Sequence, residues 1–288
     1  MVDLIIVGAG VAGMTAAIYA KRAGLAVLVF EARMFGGQIV NSEKIENYPG
    51  FENISGRELT EKIYHQMNNL GGKIRDEEVM AVRKLGNGDF EVETDEGKYS
   101  SHAIIMATGT KPRELPEKQK QMAGERPILY CAICDGALYA GKTVVVVGSG
   151  NTAKHEAAYL KRICEKVYQI HHTDDIPEDA EAIFVAVGRV PNTDLVRGLV
   201  ELDENGYIVA GEDCRTVCEG CRTACEGHET KCEDCEAIRA DCRATCAGLF
   251  AAGDCRTKTA RQLVTATGDG AIAAVEAINY INQLKKER

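Results

Sequence analysis

The 288-residue sequence has no uninterrupted apolar run of the roughly eighteen residues that a membrane-crossing helix needs. A membrane span is therefore not expected. Positive charge is not in excess either: 34 Lys and Arg stand against 43 Asp and Glu, a net charge of -9. Phosphate backbones attract a basic face and repel an acidic one, so nucleic acid is not an expected partner. The opening residues MVDLIIVGAG run straight into an apolar strand, without the basic region, apolar core and small-residue cleavage site of a secretory leader. The expected location is cytoplasmic, a reducing compartment. Twelve cysteines there read first as redox catalysts or metal ligands and only then as structural disulfides. Length and a 45% hydrophobic content allow one large or two ordinary domains.

What is present begins with a nucleotide motif. DLIIVGAGVAGMTAAIYAKRAG reads as a buried strand over Leu4 to Val7, a glycine turn and an amphipathic helix. In that setting Gly8 permits the tight turn, Gly10 lets the backbone approach a pyrophosphate and Gly13 lets helix and strand pack closely. The helix start then offers its N–H groups to the anion. The next strand, LAVLVFEA, closes on Glu31, whose carboxylate suits the hydroxyls of an adenosine ribose and repels a 2'-phosphate. FAD or NAD is expected rather than NADP.

CAICDG, from Cys131 to Gly136, spaces two sulfurs so that they can close a reducible loop, with one thiolate stabilised by its neighbours. Half of a zinc site is the alternative. The following strand and glycine turn, KTVVVVGSG, favour redox chemistry.

The stretches GGQIVNSEKIENYPGF, ATGTKPR, CAICDG, LFAAGDCR and ARQLVTATGDG together resemble the low-molecular-weight thioredoxin reductases, in that family's order and over nearly the whole chain. The resemblance implies a two-domain α/β disulfide-reductase-like flavoprotein: a Rossmann-type FAD domain over residues 1–112 and 248–288, and a second dinucleotide-type domain over 113–213. It implies FAD contacts at Gly8, Gly10, Gly13, Glu31, Gly37, Gln38, Gly253, Asp254, Arg261 and Gln262. It further implies that Cys134 meets the flavin, that Cys131 attacks the disulfide of a thioredoxin-like protein, and that Asp135 handles the proton. A homodimer is the family's usual assembly.

The second nucleotide motif is shortened. VVVVGSGNTAKHEAAYL places Gly148, Gly150 and Ala153 at the small-residue positions, which by itself indicates NAD(P)H. Where the family grips a 2'-phosphate with arginines, however, the chain has His171, His172, Thr173, Asp174 and Asp175. Only TDDIPEDAEA then separates His172 from IFVAVG. This compact form resembles the ferredoxin-linked, pyridine-nucleotide-independent branch of the flavin thioredoxin reductases. An NADH site using Asp174 or Asp175 on the ribose is the alternative.

The run over 214–247 reads as a Cys-rich insert. Cys214, Cys218, Cys221, Cys225, Cys232, Cys235, Cys242 and Cys246 follow a four-three repeat interrupted at His228 and Arg239, so in a helix they share one face. Gly220 and Gly227 predict breaks and a hairpin turning near Gly227 and His228. So little apolar material cannot offset the ordering entropy, and a bound group is expected to hold the segment. Eight thiolates suit one or two [4Fe-4S] clusters, although no CxxCxxCxxxCP run is present. Zinc, copper or disulfides are the alternatives. Cys164 and Cys255 read as small buried apolar residues.

The expected function is electron transfer from a low-potential, ferredoxin-like donor through FAD and the CxxC disulfide to a thioredoxin-like protein. Two other functions compete: an NADH-dependent disulfide reductase with a zinc-stabilised insert, and a non-enzymatic metal- or redox-sensing flavoprotein.

Overall fold

The computed structural model describes residues 1–113, 115, 117–171, 176–219, 235–238 and 244–287, and it divides into two compact units. Unit 1 contains Met1–Glu43, Ile54–Thr110 and Pro191–Arg288; unit 2 contains Lys44–Asn53 and Lys111–Val190.

Unit 1 is built on a mixed sheet. Strands β1 (Val2–Val7), β2 (Val27–Glu31) and β3 (Ile74–Asp76) lie parallel, followed by a meander of β4 (Val79–Lys84), β5 (Phe90–Thr94) and β6 (Lys98–Met106). β1 also pairs in parallel with β6. A parallel strand at the centre of a sheet is covered on both faces, which is why Leu4 to Val7 form an unbroken apolar run and Leu4, Ile5 and Ile6 are fully buried. Helix α1 (Val11–Arg22) follows the first strand. Helix α2 (Gly56–Asn69) starts at Ser55, whose hydroxyl accepts from the Glu58 N–H at 3.1 Å, the S-x-x-E capping pattern.

In unit 2, β7 (Thr110–Pro112) leaves unit 1. Then come α3 (Glu117–Ala123), β8 (Ile128–Leu129), α4 (Ala132–Asp135), β9 (Thr143–Val147), α5 (Asn151–Leu160), β10 (Lys166–Ile170) and β11 (Ala182–Val185), and β12 (Arg189–Pro191) pairs with β7 on the return. Among the described residues, β8 to β11 form a four-stranded parallel sheet in the order β10-β9-β11-β8. The valines of β9 serve both faces: Val144 and Val146 pack with Ala132, Ala153 and Leu160, while Val145 and Val147 pack with Leu115 and Ala123. Residues 171–181 link β10 to β11 in the sequence.

Back in unit 1, β13 (Arg215–Val217), β14 (Cys235–Ile238) and β15 (Ala244–Ala251) precede α6 (Leu263–Glu287). β15 runs parallel to β6 and antiparallel to β13 and β14. Two expectations are corrected here. Residues 191–213 belong to unit 1, because Val196, Val200 and Ile208 pack with Ile5, Ile104 and Leu249 in its core. The described parts of the cysteine run are strands, not a helical stripe. Thr216, Val217 and Thr245 are β-branched and buried against the sheet, which favours the extended form. Cys221, Cys225, Cys232 and Cys242, like His172, Asp174 and Asp175, lie outside the described residues.

Candidate active site

Cys131 and Cys134 form a disulfide across the start of α4, with Cα atoms 5.3 Å apart. Cys131 is the residue before the helix, and its Sγ accepts from the Cys134 N–H at 3.2 Å. Charge developing on that sulfur would strengthen this bond, which favours Cys131 as a thiolate. The Asp135 N–H donates to the Cys131 carbonyl at 3.1 Å, and burial raises the Asp135 carboxyl above its ordinary range. A carboxyl so shifted holds a proton closer to neutral pH, as proton transfer to a departing thiolate requires. Cys134 is exposed and Cys131 half-buried, flanked by Ile133 with 51% of its surface exposed. An apolar rim beside an accessible disulfide suits a protein substrate.

The glycine motif of unit 1 has the geometry a dinucleotide needs. Gly8 has φ +104° and a Cβ there would run into the Ala107 carbonyl; a Cβ on Gly13 would run into the Gly8 carbonyl. Gly10 differs, because a Cβ there meets no atom within 4 Å. The turn is thus closed toward the protein at Gly8 and Gly13 and open at Gly10, at the start of α1, where an approaching phosphate would lie. The Glu31 carboxylate is held by the Ala9 N–H at 2.8 Å and the Arg33 N–H at 3.1 Å. Gly37 opens a short 3-10 turn and lies against Gly10, while Gln38 donates through Nε2 to the Thr110 carbonyl. These residues fit FAD, and the fit rests on the open face at Gly10 beside an oriented acid.

The C-terminal part of the site is organised by a residue that sequence reasoning missed. Asp269, on α6 and 8% exposed, accepts from the Gly253 N–H at 3.0 Å, Arg256 Nη1 at 3.0 Å and Lys258 Nζ at 2.9 Å. Lys258 Nζ also lies 3.7 Å from Asp254 Oδ1. Arg261 donates to the Asp254 and Arg256 carbonyls and stands 3.9 Å over the Tyr207 ring. Gln262 lies at the start of α6, its carbonyl accepting from the Ala266 N–H. The signal available for Asp269 was a lone acid amid the small residues of TATGDGAIAA.

In unit 2, Gly148 (φ +147°) and Gly150 lead from β9 into α5 over the buried Ala153. The match to the Pyridine nucleotide-disulphide oxidoreductase model covers residues 2–179, more than half of the chain. The chain belongs to that family. Within it, the chain is 33% identical to the thioredoxin reductase of Listeria innocua, over 99% of this chain and 95% of the relative. It is 31% identical to that of Bacillus subtilis, over 99% and 96%. Among solved structures, the thioredoxin reductase of Streptococcus pyogenes matches with a TM-score of 0.81 at 29% identity, over 98% and 99% of the two chains. A Ferredoxin-Flavin Thioredoxin Reductase from Clostridium acetobutylicum matches with a TM-score of 0.57 at 26% identity, over 98% of each chain. This member of the family is a thioredoxin reductase-like flavin disulfide oxidoreductase. Its alignment with the Listeria relative spans 333 residues, more than the 288 of this chain, so the relative has segments that the chain lacks.

The cysteine run is only partly brought together. Cys214 is fully buried, and its thiol donates to the Asp269 carbonyl at 3.6 Å. Burial pushes its pKa up to about 12, so without a metal beside it the thiol keeps its proton and acts as a donor. Cys218 and Cys246 share the apolar core of unit 1, and the backbone of Cys235 pairs opposite Cys246. Among the described residues no group of three or more His, Cys, Asp or Glu is arranged to hold a metal. Cys255 is buried with its thiol toward the Met106 and Ala252 carbonyls, and Cys164 packs at the edge of the α5 core. No described helix is long and apolar enough to cross a membrane.

Proposed function

We propose that this flavoenzyme draws electrons from a low-potential, ferredoxin-like donor and delivers them through Cys131–Cys134 to a thioredoxin-like protein. The observation that carries this reading is the parallel sheet of the second unit, four-stranded among the described residues, with only a short stretch of sequence between β10 and β11 and no arginine pair after β10. The likeness to the Clostridium acetobutylicum Ferredoxin-Flavin Thioredoxin Reductase supports it.

Gly8, Gly10, Gly13, Glu31, Gly37, Gln38, Gly253, Asp254, Arg261 and Gln262 are proposed to hold FAD. When bound, FAD supplies a two-electron store that opens the disulfide. Cys134 is the sulfur proposed to face it, and Cys131, accepting the Cys134 N–H, is proposed to attack the substrate disulfide. Asp135 is proposed to protonate the departing thiolate. A homodimer is proposed on family likeness.

For the insert we propose that Cys214, Cys218, Cys221, Cys225, Cys232, Cys235, Cys242 and Cys246 supply the thiolates of one or two [4Fe-4S] clusters, four to each, with zinc as the alternative. Anaerobic purification with iron, sulfide and zinc analysis tests this; stoichiometric zinc without iron removes the cluster.

A second reading, an NADH-dependent reductase, is favoured by the intact Gly148–Gly150–Ala153 turn. Anaerobic titration of the flavin separates the two. Bleaching by reduced ferredoxin but not by NADH or NADPH is expected. Rapid bleaching by NADH alone overturns the proposal, and lack of turnover with a thioredoxin-like protein would instead indicate a sensing flavoprotein.

A further inference from the structure

One ionisable side chain of unit 2 bonds the backbone between the two cysteines and is left unused by the chemistry above. Glu156 lies on α5, against which α4 is packed: Ala132, Ala153, Ala157 and Leu160 share one apolar cluster. The Glu156 carboxyl accepts a hydrogen bond from the N–H of Ala132, the residue that follows Cys131. Its Oε2 is buried without a hydrogen-bond partner among the described residues. Burial, opposed by the Ala132 N–H and by Arg189 of β12, pushes its pKa up to about 7.

Among the described residues, further titratable groups lie on the neighbouring elements. From α4 comes Asp135, also raised by burial. β9 brings only Thr143 and valines, and on β10 both Lys166 and Tyr168 are engaged by Asp179 at 3.2 Å. Cys164, just beyond α5, has its thiol raised by burial as well.

We propose that Glu156 is a positioning residue for the Cys131–Cys134 pair, fixing their turn through the Ala132 N–H and setting by its own protonation how readily the reduced pair carries a thiolate. This rests on the reading that the pair is the redox centre. Opening the S–S bond takes up two electrons and leaves two thiolates, one of which binds a proton at neutral pH. A carboxylate held against the same turn repels the remaining thiolate and raises the thiol pKa, whereas the neutral acid does not. The two titrations are therefore coupled, and each inflection belongs to the set.

The test uses the full-length flavoprotein, reduced with dithiothreitol, desalted anaerobically and alkylated with iodoacetamide from about pH 5 to about pH 9. Labelling of Cys131 and Cys134 is read by peptide mass spectrometry. The native protein should show two inflections, one at the Glu156 titration. Glu156→Gln keeps an acceptor for the Ala132 N–H but cannot ionise. It should lose the lower inflection and alkylate on the order of threefold to tenfold faster above neutral pH. Asp135→Asn should retain the lower inflection. Identical profiles for native protein and Glu156→Gln, or loss of the inflection in Asp135→Asn alone, overturn the proposal. If Glu156→Gln does not retain flavin, Glu156→Asp keeps the charge and shortens its reach, and an inflection that does not move overturns it equally. Chemical reduction makes this readout independent of turnover. Should Cys131 and Cys134 stay unlabelled after reduction by the physiological donor, it is the redox-centre reading that fails.

Discussion

Arg256 Nη1 stands 3.0 Å from Asp269 Oδ1, and both side chains are buried. The same carboxylate holds Lys258 and the Gly253 N–H, so one acid on α6 fixes the loop in which Gly253 and Asp254 lie. Removing it leaves two cations in a site with little water. Breaking one side of a buried ionic arrangement costs about 3–5 kcal/mol. Asp269→Ala should therefore lower unfolding stability by roughly that amount and reduce flavin retention. Chemical denaturation and flavin-to-protein absorbance ratios check both. A variant with full flavin content and native stability would show that Gly253 is held by the chain alone.

The disulfide in unit 2 predicts a separation of turnover from flavin binding. Cys134→Ser and Cys131→Ser should each lose disulfide-reductase turnover by on the order of a thousandfold or more, as removal of a reacting group does. Neither should lose FAD, because unit 1 contains every residue proposed to hold it. Thioredoxin-like turnover and flavin content, measured on the same preparations, test this.

The nucleotide motif of unit 1 was legible because its signals agree: an apolar strand, glycines at fixed offsets and an acid at the end of the next strand. The valine run of β9 was equally plain, since a strand buried on both faces needs no alternation. The cysteine run misled for a definite reason. A spacing of four places Cys214 and Cys218 on one face of a helix, but four is an even number and does the same on a strand. Thr216 and Val217 between them carried the β signal. Glu156 and Asp269 were not legible, because their importance comes from burial beside groups distant in sequence, the Ala132 N–H and the Arg256 guanidinium.

Without a metal beside it, Cys214 should be chemically silent. With its pKa pushed up to about 12 by burial, and its thiol donating to Asp269, it holds almost no thiolate near neutral pH. A free cysteine titrates near 8.5, so Cys214 should react with maleimide at about pH 8 at least a thousandfold more slowly. Mass spectrometry of the native and urea-unfolded protein measures the ratio.

Glu156 should make the stability of unit 2 depend on pH. Its folded pKa, about 7, lies above the ordinary value of 4.5, so the folded protein binds the proton more tightly than the unfolded chain does. Its contribution is therefore fully present below about pH 4.5, falls away as pH rises through about 7, and is absent above that. Discounted for partial solvent exposure, the difference between the two limits is about 2 kcal/mol. Glu156→Gln removes the cost of ionising a buried acid. It should raise stability by about that amount at pH 8 and change it little at pH 5. Denaturant midpoints for unit 2 at the two pH values, followed through the fluorescence of its tyrosines, give the result. Equal midpoint shifts at both would mean that the carboxyl is already ionised in the acid range and is not held neutral by the α4–α5 contact.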